Sequence, residues 1–319
     1  MAKRSPADRL DQIIAEMFTA EHGAGIGVRD RRLAGLARLA DDLRDLPRPS
    51  FRERLKNDLE RRAGMSAIRA GFRTVTPYVM VPQAGEMIDF VKSVFGAQEL
   101  FRGTGSAGGI HAEVRIGDSM MMIGGGGTFR GTPTPTMFQY YVPNVDEVYA
   151  RAIAAGATMS LALTEQWGDR FGAVRDPFGN EWILSTHLGP RYVPEGLGDV
   201  TIYLHPVGAA KLIDFLKEAF GAEEFVRHDS PEGAVLHAKV RIGDSMIEMG
   251  EAHGPWQAMP TAIYLYVPDA DAVYRRALAA GADSLSEPAD QPYGDRLAGV
   301  RDWCGNQWYI ATHVGGAAS

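Results

Sequence analysis

Two stretches of this chain repeat one another at an offset of 125 or 126 residues, and this duplication restricts the possible folds more than any other feature. Phe90-Val-Lys-Ser-Val-Phe-Gly-Ala returns as Phe215-Leu-Lys-Glu-Ala-Phe-Gly-Ala. His111-Ala-Glu-Val-Arg-Ile-Gly-Asp-Ser-Met returns as His237-Ala-Lys-Val-Arg-Ile-Gly-Asp-Ser-Met. Further along, Gly168-Asp-Arg, Val174-Arg-Asp, Gly179-Asn-Glu-Trp and Thr186-His recur in order from Gly294, Val300, Gly305 and Thr312. Residues 72–190 and 197–315 are therefore read as two copies of one domain, joined at Pro190-Arg-Tyr-Val-Pro-Glu-Gly.

Each copy divides again. In the first, hydrophobic periodicity predicts a strand at Val75–Val81, a helix at Glu86–Phe95, a strand at Glu99–Arg102 and a hairpin turning at Gly117-Asp118. The order then repeats: a strand at Thr136–Val142, a helix at Val145–Ala155, a strand near Leu161–Thr164 and a hairpin turning at Asp176-Pro-Phe-Gly-Asn. The unit is βαβββ, and the chain holds four. Residues 1–65 read instead as a helical extension of three amphipathic helices. One carries Leu10, Ile13, Ile14 and Met17; the next carries Leu33, Leu36, Leu39 and Leu43; the third is capped by Ser50 with Glu53 three residues on.

The chain's 319 residues have a formal net charge of −7, unevenly placed. The first 65 residues carry 14 Lys+Arg against 11 Asp+Glu, so the remainder is acidic, which argues against a nucleic-acid surface there. A single cysteine, Cys304, leaves no internal disulfide or multi-thiolate metal site. Cys304 falls in a turn with no base nearby in sequence, so nothing marks it as a nucleophile. No apolar run reaches the length of a membrane span, and no secretory signal opens the chain, so a cytoplasmic location is expected.

Period-two alternation separates a helix-covered face from a cleft face on each strand. Ala112, Val114, Ile116, Met121 and Ile123 form the apolar face of the first hairpin; His111, Glu113, Arg115, Met120 and Met122 form the other. In the second copy the cleft face carries His237, Lys239, Arg241, Met246 and Glu248. The opening strands point Thr76, Tyr78 and Met80, or Thr201, Tyr203 and His205, the same way. Met137, Gln139 and Tyr141, with counterparts Ala262, Tyr264 and Tyr266, follow on the later units. Trp182 and Trp308 fall on the helix side and are expected in the core. Trp167 and Tyr293, beside Gly-Asp-Arg, are placed at a cleft mouth where they stack on a planar ligand or pack the rim.

With Asp176-Pro-Phe-Gly-Asn-Glu-Trp, the His111 motif and Thr76-Pro-Tyr-Val-Met-Val in place, residues 72–315 resemble the vicinal oxygen chelate superfamily of glyoxalase, bleomycin-resistance and dioxygenase proteins. Within it they resemble the PhnB-like branch. The resemblance implies an α+β fold of four βαβββ units and a tandem that acts as an internal pseudo-dimer, monomeric in solution. It also implies metal ligands on the first and last strands of each unit. Those positions here are Thr76, Met122, Met137 and Ile183 in the first copy, and Thr201, Glu248, Ala262 and Tyr309 in the second. Only Glu248 is a good ligand for a hard or borderline cation.

The expected function is therefore binding of a small aromatic or amphipathic molecule, with no metal cofactor. Contacts come from Thr76, Tyr78, Glu113, Met122, Gln139, Tyr141 and Trp167, and from Thr201, Tyr203, Tyr264, Tyr266, Tyr293 and Tyr309. An alternative is a lyase, isomerase or dioxygenase-like enzyme holding one divalent ion on His205, His237 and Glu248, with His237, Glu248 and His111 as its acid–base groups. Against it, Lys239 lies opposite Glu248 in the hairpin and is expected to pair with it. A third reading is a ligand sensor acting through the N-terminal helices. Taken copy by copy, the second cleft is the more titratable, combining His205, His237, Glu248 and Tyr264. The sequence is equally compatible with clefts built within one copy or between the two.

Overall fold

Asn144 and Asp269 each accept a hydrogen bond from the backbone N–H three residues on, which starts a helix at the same place in both copies. The computed structural model describes residues 67–254 and 256–315; the three helices expected within residues 1–65 lie outside the described residues. The first copy runs β1 (Val75–Val81), α1 (Ala84–Phe95), β2 (Gln98–Thr104), β3 (Ile110–Ile116), β4 (Ser119–Gly125), β5 (Met137–Tyr141), α2 (Val145–Ala154), β6 (Thr158–Gln166), β7 (Asp169–Arg175) and β8 (Glu181–His187). The second runs β9 (Val200–Leu204), α3 (Ala209–Phe220), β10 (Glu223–Asp229), β11 (Val235–Ile242), β12 (Ser245–Met249), β13 (Ala262–Tyr266), α4 (Ala270–Ala279), β14 (Asp283–Asp290), β15 (Asp295–Arg301) and β16 (Gln307–His313). The predicted four-unit α+β architecture is what the chain adopts. None of these helices is long and apolar enough to cross a membrane.

The strands form two eight-stranded sheets, and each sheet is shared between the copies. One has the order β14-β15-β16-β13-β1-β4-β3-β2, the other β10-β11-β12-β9-β5-β8-β7-β6. The halves join through antiparallel seams. Thr76 of β1 lies opposite Tyr264 of β13, and Gln139 of β5 lies opposite Thr201 of β9. This overturns the copy-by-copy grouping of cleft residues: Met137, Gln139 and Tyr141 share a sheet with His205 and Glu248, whereas Tyr264 shares one with Tyr78 and Met122.

The helix-covered faces divide the other way. Val91, Phe95, Ala112, Ile123, Phe138 and Trp182 belong to one buried cluster drawn from the first copy. Leu216, Phe220, Ala238, Ile247, Ile263 and Trp308 form the matching cluster of the second. Trp182 and Trp308 are fully buried there, as the alternation predicted. So each copy owns a hydrophobic core, while the opposite face of each sheet draws on both copies.

The repeated motifs hold this arrangement together. At Gly117-Asp118-Ser119 the turn reaches the other half of the molecule. Asp118 Oδ1 accepts from the Asp199 N–H at 2.9 Å, Asp199 Oδ2 from the Asp118 N–H at 3.0 Å, and Ser119 Oγ from the Val200 N–H at 3.1 Å. The second copy answers symmetrically, with Asp244 and Ser245 accepting from the N–H groups of Thr74 and Val75 at 2.8 and 3.0 Å. Gly117 and Gly243 have φ of 57° and 59°, and a Cβ on either would overlap Asp199 or Thr74. Only glycine meets both demands. Thr136 and Thr261, equivalent in the two copies, hydrogen-bond each other through their hydroxyls.

The Asp-x-x-Gly-Asn-x-Trp repeat is structural as well. Asp176 takes hydrogen bonds from the Phe178 and Asn180 backbones and from the Trp182 indole at 2.9 Å each; Asp302 takes the equivalent bonds from Cys304, Asn306 and Trp308 at 2.9, 3.0 and 3.0 Å. Burial raises both carboxyls despite these bonds.

Candidate functional site

The face of each sheet opposite its helices, the cleft face of the alternation, draws its residues from both copies. In the cleft of β1–β4 with β13–β16, Phe72, Met120, Met122, Tyr264 and Tyr266 are buried together, with Ile68, Tyr78, Leu297 and Tyr309 packed on them. Tyr264 and Tyr266 donate to Asp295 Oδ2 at 2.7 and 3.3 Å, and His313 Nδ1 sits 2.7 Å from Oδ1 of the same carboxylate. Burial and the Asp295 charge raise both phenols, so they act as neutral donors.

Glu113, on the cleft face of β3, is buried and capped by the Arg69 guanidinium. His111 Nε2 lies 3.6 Å from its other oxygen, and His111 Nδ1 lies 3.4 Å from the Tyr78 hydroxyl. Burial alone would raise the Glu113 carboxyl, but the hydrogen bonds from His111 and Arg69 outweigh it and hold it below the usual range.

The cleft of β9–β12 with β5–β8 has the same plan with other groups. Glu248 lies opposite Lys239 in register, and its Oε1 sits 3.2 Å from Lys239 Nζ and 3.8 Å from His237 Nε2. The expected ion pair is therefore present. Glu248 is 2% exposed, and its Oε2 has no hydrogen-bond partner among the described residues. Burial raises its carboxyl; Lys239 counters and Asp169 reinforces that shift.

The Tyr203 hydroxyl lies 3.1 Å from His237 Nδ1, and its ring stacks on His205 at 4.7 Å between centroids. His205 stacks in turn on Trp256 at 5.6 Å, with its Nδ1 2.9 Å from Met137 Sδ. Both imidazoles are lowered to about 4. For His205 the causes are burial and His253; for His237 they are burial, Lys239 and His228. They are neutral at pH 7.

The β5–β8 wall carries Met137, Ala173 and Ile183, with Leu161, Phe171, Met259 and Trp256 around them. Tyr141 donates to Asp169 at 3.4 Å, Asp169 faces His187 at 2.6 Å, and Gln139 donates to Ser185 at 2.7 Å. Trp167 is 88% exposed at the rim, stacked on Phe171 at 5.8 Å. Its counterpart Tyr293 is also exposed. Thr186 and Thr312 accept from the first backbone N–H of α2 and α4 and belong to the scaffold. His205 also lines a cavity of about 210 Å³ with Met259, Trp303 and Cys304, whose thiol burial pushes up to about 12.

The regrouped ligand positions are Thr76, Met122, Ala262 and Tyr309 in one cleft and Thr201, Glu248, Met137 and Ile183 in the other. Neither set suits a divalent cation, since thioether, methyl and aliphatic side chains stand where imidazole or carboxylate is required. The alternative set of His205, His237 and Glu248 does not converge either. The Tyr203 ring packs against both imidazoles, His205 turns its Nδ1 to Met137, and no three His, Cys, Asp or Glu side chains among the described residues form a cation cage. His205 belongs instead to an aromatic stack with Tyr203 and Trp256.

Several site residues are absent from the expectations above. Arg69, Ile68 and Phe72 precede the first strand and have no conspicuous repeat, so only the folded chain brings them to the cleft. Asp295 and His313, with Asp169 and His187, sit in the repeated Gly-Asp-Arg and Thr-His motifs. Their spacing flagged them, although not as partners.

A family model described as the Glyoxalase/Bleomycin resistance protein/Dioxygenase superfamily matches residues 73–184 and 208–310, and the chain belongs to that superfamily. An uncharacterised protein of Mycobacterium bovis is 39% identical over 122 residues, covering 34% of this chain and 80% of that protein. A Mycobacterium tuberculosis counterpart shows the same identity, with 72% of its length covered. Glyoxalase I from Zea mays superposes with a TM-score of 0.58 at 14% identity, over 76% of this chain and 92% of that one. A putative dioxygenase from Bacillus subtilis gives 0.52 at 15% identity, over 76% and 85%. These structures share the fold.

Proposed function

We propose that the protein binds a small aromatic or amphipathic molecule in the cleft of β9–β12 with β5–β8, without an obligatory metal. One observation carries this reading. Three of the four positions that would hold a cation in this cleft are Thr201, Met137 and Ile183, set among Tyr141, Tyr203, Phe171 and Trp256. Polarisable and aromatic side chains around a few oriented polar groups suit burial of an organic ligand. His111, with its cleft already holding Arg69, is assigned a structural hydrogen bond in place of an acid–base role.

The test is metal analysis of protein purified without chelator, followed by a melting-temperature screen of aromatic compounds with and without EDTA. Binding that survives EDTA is expected. A stoichiometric divalent ion lost in Glu248→Ala would overturn the reading. We also place the chain in the PhnB-like branch, as a cytoplasmic monomer whose two copies replace the subunits of a dimer. Light scattering should return the mass of one chain.

A further inference from the structure

The two clefts differ in what meets the buried carboxylate. In the first, the turn preceding β1 supplies the counter-charge. The Ala67 carbonyl accepts from the His313 N–H at 2.8 Å, Ile68 and Phe72 pack on the aromatic cluster, and Arg69 caps Glu113. The guanidinium also lies 4.5 Å above the Phe72 ring. A planar nitrogen cation, backed by an aromatic ring, thus occupies the first cleft from within.

The equivalent turn of the second cleft is built alike but lacks that cation. The Tyr192 carbonyl accepts from the His187 N–H at 2.9 Å, and Val193 and Leu197 pack on Tyr141 and Met246 in place of Ile68 and Phe72. At the Arg69 position stands Pro194, which has no donor. Lys239 satisfies only Oε1 of Glu248, and Oε2 stays buried without a partner among the described residues. The polar groups facing it are Lys239 and His237, with Asp169 beyond them held by Tyr141 and His187, and none of them reaches Oε2. A buried, unpaired carboxylate oxygen is costly until a donor reaches it, and a cationic donor serves best.

We propose that the second cleft selects ligands bearing a nitrogen cation (amidine, guanidine or amine) on an aromatic or apolar body, with Glu248 Oε2 accepting the ligand's N–H. The ligand cation takes the part that Arg69 plays in the first cleft, and its body lies against Tyr203, Met246 and Phe171. The assignment rests on the ligand-binding reading above and adds the charge of the ligand to it.

Benzamidine, benzamide and benzoate share a ring and a shape but differ in charge, and their binding to the full chain is measured by ligand-observed NMR titration at pH 7.5. Benzamidine should bind at least tenfold more tightly than benzamide, with benzoate weakest. Glu248→Gln should bring benzamidine and benzamide within about twofold of each other. Pro194→Arg, which installs the internal cation of the first cleft in the second, should weaken benzamidine at least tenfold. Benzamide binding as tightly as benzamidine, or benzamidine binding unchanged in either variant, overturns the cation assignment and leaves the ligand-binding reading standing. Failure of all three probes and of the aromatic screen overturns both. The comparison on the unmodified chain holds whether or not a variant folds.

Discussion

Arg69 closes its guanidinium onto the Glu113 carboxylate from a segment that lies outside the sheet bearing Glu113. Glu113 is buried and Arg69 half-buried, so removal of the cation leaves a charge that water solvates poorly. Arg69→Ala is expected to cost about 2–4 kcal/mol of unfolding free energy, read from urea denaturation. Adding Glu113→Gln should recover much of that loss, and the double-mutant cycle measures the coupling. Additive losses would show that the two side chains do not stabilise one another.

Gly117 and Gly196 both have positive φ, 57° and 84°, but only Gly117 is crowded. An added Cβ would strike the Asp199 carboxylate at Gly117 and meets no atom within 4 Å at Gly196. Gly196→Ala should therefore cost only the backbone strain, about 1–2 kcal/mol. Gly117→Ala should cost more, because it also displaces the reciprocal Asp118–Asp199 bonds that tie the copies together. Equal melting temperatures for the two variants would refute the clamp.

Asp302 satisfies the Trp308 indole and the backbone of the β15–β16 turn at once. Asp302→Ala strands those donors in a buried setting and is expected to destabilise by about 2–4 kcal/mol. Asp176→Ala should do the same in the first copy. Near-UV circular dichroism should report loosening of the buried tryptophan in each. A loss below about 1 kcal/mol would mean that other groups satisfy the turn.

His205 is neutral in the fold, with its proton affinity lowered from 6.5 to about 4 by burial. The unfolded chain protonates near 6.5, so below that pH it binds the proton that the folded chain refuses. The stabilisation is complete above about 6.5 and is lost as pH falls toward 4. At roughly 1.4 kcal/mol per unit, the full loss from this residue is about 3–4 kcal/mol. His205→Phe preserves the stack with Tyr203 and Trp256, and should flatten the fall in melting temperature between pH 6.5 and 4.5. An unchanged acid limb would show that His205 does not titrate across unfolding.

The duplication, the βαβββ order and the face assignments were legible in the sequence because each rests on local rules. Alternation put Met121 and Ile123 under a helix and Met120 and Met122 in the cleft, and spacing placed Lys239 opposite Glu248. The poor donor chemistry of Met137 and Ile183 was legible too, since it is a property of the side chains and not of their placement. Which half faces which is a long-range matter. Pairing β1 with β13 and β5 with β9 depends on seams between strands far apart in sequence, so no periodicity reports it. The same tertiary choice delivered Arg69 to Glu113, left Pro194 at the equivalent position of the second half, and packed the Tyr203 ring against two histidines that strand alternation had grouped. Side-chain alternation is set by the backbone of a single strand, whereas the composition of a cleft is set by which strands meet, and only the folded chain decided that.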